Sequence, residues 1–290
     1  LTLDTSTEVT ISTDAATVGA ASQVISGVAE AGSTVVISGG TSNVTVTAGA
    51  DGTWSDSVTL SAEGSNTLTA TVTDLAGNTS TDTVALTLDT TNPTVTITTT
   101  DIATNSETQT IAGTVDADHY GATVKVYEGD NLLTTVVSDS SDGSWSATVP
   151  LSTNGSHTLT ATAEDAAGNT HSATITYTLD TVAPVAVSVT SSDATAGYLN
   201  AADGTVSLSV SGSDAAEITS VKVYDAFGNS ATGTLNSGAY DFATSGLTDG
   251  ALRVEVVQED AAGNVTTVEN ALTLTLDTST EVTISTDAAT

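Results

Sequence analysis

The first seventeen residues of the chain, Leu1 to Thr17, recur unchanged as its last seventeen, Leu274 to Thr290. Identity over that length fixes an offset of 273 residues and makes the chain one full period of a tandem array plus the opening of the next. Self-similarity on this scale marks stacked modules that contact mainly their neighbours along the chain. The chain begins and ends inside a repeat and has no methionine. It therefore reads as a fragment of a longer protein, with a job that is spatial before it is catalytic.

A shorter period lies inside the long one. Leu-Asp-Thr begins at Leu3, Leu88, Leu179 and Leu276, with spacings of 85, 91 and 97 residues. In step with it run Asp74-Leu-Ala-Gly-Asn78, Asp165-Ala-Ala-Gly-Asn169 and Asp260-Ala-Ala-Gly-Asn264. Asp51-Gly-Thr-Trp54 and Asp142-Gly-Ser-Trp145 mark the first two modules, where the third has Ser237-Gly-Ala-Tyr240. The expected organisation is a module over residues 1–89 with its incoming linker, a second over 90–180, a third over 181–277, and the start of the next repeat over 278–290. Each has room for one two-sheet core and no more.

The pattern inside the modules has a period of two. Thr94-Val-Thr-Ile-Thr98, Thr67-Leu-Thr-Ala-Thr-Val-Thr73 and Thr158-Leu-Thr-Ala-Thr162 alternate polar and apolar residues, with β-branched side chains throughout. Short strands separated by Gly, Asp and Asn clusters predict an all-β chain of three tandem Ig-like sandwiches, arranged end to end as a rod. For the second module the predicted strands are 94–98, 108–115, 123–127, 132–138, 144–150, 157–163 and 171–178. Ala-Gly-Asn makes the hairpin turn between the last two. Trp54 and Trp145 are expected core anchors, with Tyr240 or Phe242 in that role in the third module.

Charge narrows the partners. Three basic residues, Lys125, Lys222 and Arg253, face 35 acidic ones, for a formal charge of -32. Such a surface excludes nucleic acid and anionic membrane as electrostatic partners. The absence of cysteine leaves core packing, metal or both to stabilise each sandwich. No apolar run is long enough for a membrane helix.

Strand direction alternates in a sandwich, so the loops divide between two poles. The incoming linker and the loops after the second, fourth and sixth strands share one pole. This rule gathers Asp4, Glu30, Asp51 and Asp74 in module one. It gathers Asp89, Asp116, Asp118, Asp142, Glu164 and Asp165 in module two, and Asp180, Asp214, Glu217, Glu259 and Asp260 in module three. Carboxylates brought together call for a cation, and Ca2+ accepts mixed oxygen ligands from flexible loops. Three histidines in the chain make zinc a poor choice for a repeated site. The candidate ligands for Ca2+ at the junctions are Asp4, Glu30, Asp74, Asp89, Asp116, Asp118, Asp165, Asp180, Asp214, Glu217, Asp260 and Asp277. The alternative is a set of solvated acidic loops that bind nothing specific.

The linkers Leu88-Asp-Thr-Thr-Asn-Pro93 and Leu179-Asp-Thr-Val-Ala-Pro184, with Ala29-Glu-Ala-Gly32, Ala50-Asp-Gly-Thr-Trp54 and the three Asp-x-Ala-Gly-Asn turns, resemble the bacterial Ig-like repeats of giant Bap- and RTX-type surface adhesins. The resemblance covers essentially the whole chain. It implies an extender region secreted to the bacterial cell surface, with Ca2+ at the linkers and Asp89, Asp180, Asp74, Asp165 and Asp260 among its ligands. Two departures are visible: the linker after Asp4, like its copy after Asp277, has no proline, and module three lacks Asp-Gly-x-Trp.

Other readings compete less well. Asp116-Ala-Asp-His-Tyr-Gly121 opens like an EF-hand loop, but Tyr120 stands where a ligand belongs and a strand follows. His119, His157 and His171 fit loop or strand surface. No catalytic constellation or phosphate loop stands out, so the chain is not expected to be an enzyme. A glycan-binding module would need recurring exposed aromatics, and Tyr120, Tyr127, Tyr198 and Tyr224 do not recur at equivalent places. A self-associating matrix fibre is the remaining alternative to a monomeric extender whose partners are the neighbouring repeats of its own chain.

Overall fold

The computed structural model describes residues 5–100, 102–194, 197–200, 205–211 and 217–278. The chain divides into two compact units. One comprises Leu1–Thr100, Gln109–Val149 and Thr158–Ile175, the other Asp101–Thr108, Pro150–His157 and Thr176–Thr290. Strands of the middle repeat therefore belong to both.

In the first unit the leading repeat is a two-sheet sandwich. One sheet orders β1 (Val9–Ile11), β3 (Ser22–Ala29) and β6 (Thr53–Thr59). The other orders β2 (Ala16–Val18), β8 (Thr79–Leu88), β7 (Gly64–Thr73), β4 (Thr34–Ser38) and β5 (Val44–Thr47). Alternation decides which side chains face inward: Leu68, Ala70 and Val72 of β7 are fully buried, while the threonines between them are not. They meet Ile25, Val35, Ile37, Val58 and Leu86 in one core. Register places the predicted loops at one end. Val9 pairs with Ala29, Val28 with Thr53, and Thr34 with Thr73.

The middle repeat matches the predicted strands to within two residues, and Thr108–Val115 and Ser144–Pro150 match to the residue. A three-residue strand in each repeat escaped the pattern: Ala16–Val18, Ile102–Thr104 and Tyr198–Asn200, each parallel to the last long strand of its sandwich. Three residues carry no detectable period. In the second unit the last repeat closes its core around Phe242, which is buried, while Tyr240 packs at its edge.

The tryptophans are core anchors as expected, and each has a glycine opposite. Gly27 pairs across the sheet with Trp54. A Cβ on Gly27 would sit 2.0 Å from the Thr10 carbonyl oxygen and 2.4 Å from the indole. Gly113 repeats the arrangement, 1.9 Å from the Thr96 carbonyl oxygen and 2.8 Å from Trp145. The ring packs against a strand that has no room for a side chain there. Gly27→Ala or Gly113→Ala should therefore lose about 1–3 kcal/mol by overpacking. Gly246→Ala, in open space, should stay within about 0.5 kcal/mol of the parent. Denaturant unfolding checks this, and equal losses at all three positions would contradict it.

Candidate metal centre

Each residue of Leu-Asp-Thr has a separate task. Leu88, Leu179 and Leu276 close their cores at 5%, 2% and 1% exposure. The threonine that follows the aspartate ties the linker to the repeat it is leaving. Thr90 donates from its backbone N–H and its hydroxyl to the Glu63 carboxylate. Thr181 donates both to Asn154 Oδ1 at 3.1 and 3.0 Å, and Thr278 both to Asp249 Oδ1 at 2.9 and 2.6 Å.

The aspartate between them reaches in both directions. The Asp89 N–H donates to the Val18 carbonyl at 3.0 Å, and the Asp180 N–H to the Thr104 carbonyl at 2.9 Å. Their carbonyls accept from the following repeat: Asn169 Nδ2 donates to Asp89 O at 2.8 Å, and Asn264 Nδ2 to Asp180 O at 2.7 Å. Their side chains fold the linker, with Asp89 Oδ1 accepting from the Thr91 N–H and Asp180 Oδ1 from the Val182 N–H, both at 3.0 Å. Direct contacts flank this knot. Asn105 Nδ2 donates to the Gly263 carbonyl at 2.9 Å. Gly19, at the corresponding loop, leaves 2.9 Å between a Cβ and the Ala167 carbonyl oxygen. Sequence reasoning missed the roles of Asn169, Asn264 and the linker threonines, although their recurrence was the available signal.

The Asp-x-Ala-Gly-Asn aspartates first of all build their turns. Asp165 Oδ1 accepts from the N–H groups of Ala167 and Asn169, and its Oδ2 from Asn169 Nδ2. Asp74 and Asp260 do the same. In both, the asparagine side chain leads the hydrogen bonds that hold the carboxyl below its ordinary pKa. A fourth turn of this kind, Asp225-Ala-Phe-Gly-Asn229, lies at the opposite end of its strand from Glu217.

At the first junction the structure brings Asp89 and Asp165 together, with a histidine between them. One ligand atom from each of Asp89, His119 and Asp165 lies within 4.8 Å of the other two. Asp116 stands behind this group: its Oδ2 is 2.7 Å from His119 Nδ1, and its Oδ1 accepts from the Thr94 N–H. Burial disfavours the His119 imidazolium. The Asp116 hydrogen bond and the charges of Asp116, Asp89 and Asp165 outweigh it and hold the pKa above the usual histidine value. Burial likewise opposes ionisation of Asp116, and the Thr94 N–H and His119 reverse it. Asp118 is exposed at the rim. Lys125 Nζ pairs with Glu164 nearby at 2.5 Å. His119 and His157 are buried at 8% and 4% exposure. This corrects the expectation of surface histidines: His119 is held by Asp116, and His157 bonds the Thr153 carbonyl oxygen.

Among the described residues the second junction offers oxygen ligands alone. Asp180 and Asp260 line one hollow, and Glu217, Glu259 and Asp260 line another. Glu217 and Glu259 are directly opposite in antiparallel register, a like-charge pairing that destabilises a sheet unless something compensates. Elsewhere the predicted ligands are apart. Glu30 is exposed with its carbonyl accepting from Ser33, and Asp277 is exposed at a strand end. Asp4 and Asp214 lie outside the described residues. Among the described residues Asp89, His119 and Asp165 form the one cluster of three potential metal ligands.

The chain belongs to the bacterial Ig-like domain family, whose model matches residues 4–90 and 94–181. It is similar to the structure of a Ca2+-stabilised adhesin that helps an Antarctic bacterium reach out and bind ice. Identity is 28% over 96% of this chain and 75% of that one, with a TM-score of 0.52. A structure from a 1.5-MDa bacterial ice-binding adhesin aligns over 94% of this chain and 98% of its own, with 22% identity and a TM-score of 0.48. In sequence the chain is 28% identical over 188 residues to chitinase A1 of Niallia circulans, covering 64% of this chain and 26% of that relative. The chain thus spans about a quarter of that enzyme's length.

Asp225 builds the same turn at the other end of its strand from Glu217. Burial raises its pKa, but Asn229 and Thr248 outweigh it and hold the carboxyl far below the carboxylate range. The stability it contributes is complete above the unfolded value of about 3.9 and fades as pH falls toward the folded one. Asp225→Asn should be less stable than the parent at neutral pH, with a gap in melting temperature that narrows below about pH 4. A gap that stays constant into strong acid would contradict this.

Proposed function

We propose that this tandem of bacterial Ig-like domains is a length of extender in a repetitive bacterial cell-surface adhesin. Its task is to hold successive modules in line and project a distal binding domain, with Ca2+ stiffening the junctions. The observation that carries this reading is the linker aspartate, bonded backward through its N–H and forward through its carbonyl at both junctions. A flexible tether has no use for such a knot. The modules would run over residues 1–89, 90–180 and 181–277, and the chain would act outside the cell as a monomer. Resemblance to a Ca2+-stabilised adhesin supports the metal.

By donor type, all oxygen, a hard cation suits the second junction better than the first. Asp180, Glu217 and Asp260 would hold Ca2+ there, with Glu259 adjoining, all through oxygen. Bound Ca2+ would supply the positive charge that this group lacks. At the first junction Asp89 and Asp165, with Asp116 and Asp118 in the adjoining loop, would do so beside the Lys125 ammonium and the His119 imidazole. The need for Ca2+ is therefore greater at the second.

Small-angle scattering in Ca2+ should give a rod on the order of 120 Å long, from strands rising ~3.3 Å per residue. Light scattering should give a monomer with or without Ca2+. A compact particle or a fibre would overturn the reading. Chelator should lower the melting temperature, and Ca2+ should restore it better than Mg2+, with about 2.7 kcal/mol gained at 100 times Kd. Asp180→Asn should abolish more of that response than Asp89→Asn. A melting curve indifferent to chelator would contradict structural calcium.

A further inference from the structure

The two junctions share their hydrogen bonds but differ in donor chemistry. The second presents carboxylates; the first presents two carboxylates and an imidazole. His119 is supplied by the short helical turn Ala117–His119 between two strands of the middle repeat. Its side chain is 5% exposed, as is that of Asp165. The Asp116 carboxylate, 2.7 Å from Nδ1, can only accept when ionised, so Nδ1 carries the proton of the neutral ring. The lone pair is then on Nε2. That atom is 4.0 Å from Asp165 Oδ2, beyond hydrogen-bond reach. It is a ligand atom on a side chain only 5% exposed, facing the hollow shared with Asp89 and Asp165.

We infer that the first junction is a site for a divalent transition metal of the zinc class, held by Asp89, His119 Nε2 and Asp165. The inference rests on the reading of the junctions as metal sites and names a different ion for one of them. Ca2+ is a hard cation that takes oxygen ligands, so imidazole nitrogen adds little to its binding. Zn2+ and its neighbours accept mixed nitrogen and carboxylate donors and favour imidazole. Asp116 completes the arrangement: a carboxylate on the far nitrogen fixes the ring's tautomer and orientation and raises its basicity as a ligand. Two ligands on one metal at about 2.1 Å stand ~3.4 Å apart in a tetrahedral shell. The 4.0 Å between Nε2 and Oδ2 closes to that with a small shift. Three protein ligands leave a position for water, so the ion would be exchangeable. Three histidines in the chain speak against a repeated zinc site, but this site occurs once, in the repeat that holds all three.

The test uses the full chain, stripped of metal and titrated calorimetrically with Zn2+ in a large excess of Ca2+. The expected result is one Zn2+ per chain, bound despite the Ca2+. His119→Asn should weaken it at least ~10-fold, and Asp116→Asn, which touches no metal, by ~10–100-fold. Co2+ should give a visible d–d spectrum that His119→Asn abolishes. If His119→Asn fails to fold, Asp89→Asn, on the linker, should lose Zn2+ in its place. Zn2+ displaced by Ca2+, or bound as tightly by His119→Asn as by the parent, would overturn the inference. No Zn2+ binding at all would also overturn it. A Ca2+ titration of the same samples separates the two readings. Ca2+ bound without Zn2+ sinks this inference alone, and Zn2+ bound without Ca2+ sinks the calcium reading alone.

Discussion

The junctions depend on one backbone position. At Asp89 and Asp180 a single residue donates its N–H to the repeat behind and offers its carbonyl to the repeat ahead. The preceding leucine is locked in a core and the following threonine is tied to a loop of the same repeat. The linker therefore leaves one sandwich along a fixed path. Each such hydrogen bond is worth about 0.5–1.5 kcal/mol net. Three or four of them give a junction a few kcal/mol, enough to suppress hinging if nothing opposes it.

Charge opposes it. With 35 acidic and three basic residues, the carboxylates at each junction repel one another. Two unit charges 4 Å apart cost about 1 kcal/mol in bulk water and about 4 kcal/mol at an effective dielectric of 20. A few such pairs cancel the hydrogen bonds. The sign of the balance is set by what cation is present. At the first junction Lys125 supplies part of the answer from the chain itself, and His119 hydrogen-bonds Asp116. At the second, Glu217 opposite Glu259 has no such partner among the described residues.

The fold was legible because alternation is a strong signal over seven to ten residues, and β-branched residues on both faces left no helical alternative. The three-residue strands such as Ala16–Val18 were not, since their pairing is decided by the neighbouring strand rather than by their own pattern. At the junctions, the convergence of Asp89 and Asp165 followed from strand direction. The part played by His119 did not, because nothing in its sequence context distinguishes a buried loop histidine from an exposed one. Recurrence of Leu-Asp-Thr and Asp-x-Ala-Gly-Asn marked the right residues. It drew the eye to the carboxylates, while the backbone of Asp89 and the amide of Asn169 make the bond between repeats. The turn at Asp225 shows why: the same carboxylate geometry arises at the other end of the strand from Glu217.

A second junction that is pinned and neutralised must be stiff in Ca2+ and loose without it. The chain has no cysteine, so Ser156→Cys and Ser230→Cys, both at exposed positions, can carry a pair of spin labels across that junction. Pulsed electron–electron resonance then reads the distribution of distances between them. The account predicts one narrow peak in Ca2+ that broadens in chelator and narrows again when Ca2+ is restored. A distribution equally broad in both states, or equally narrow in both, would contradict it.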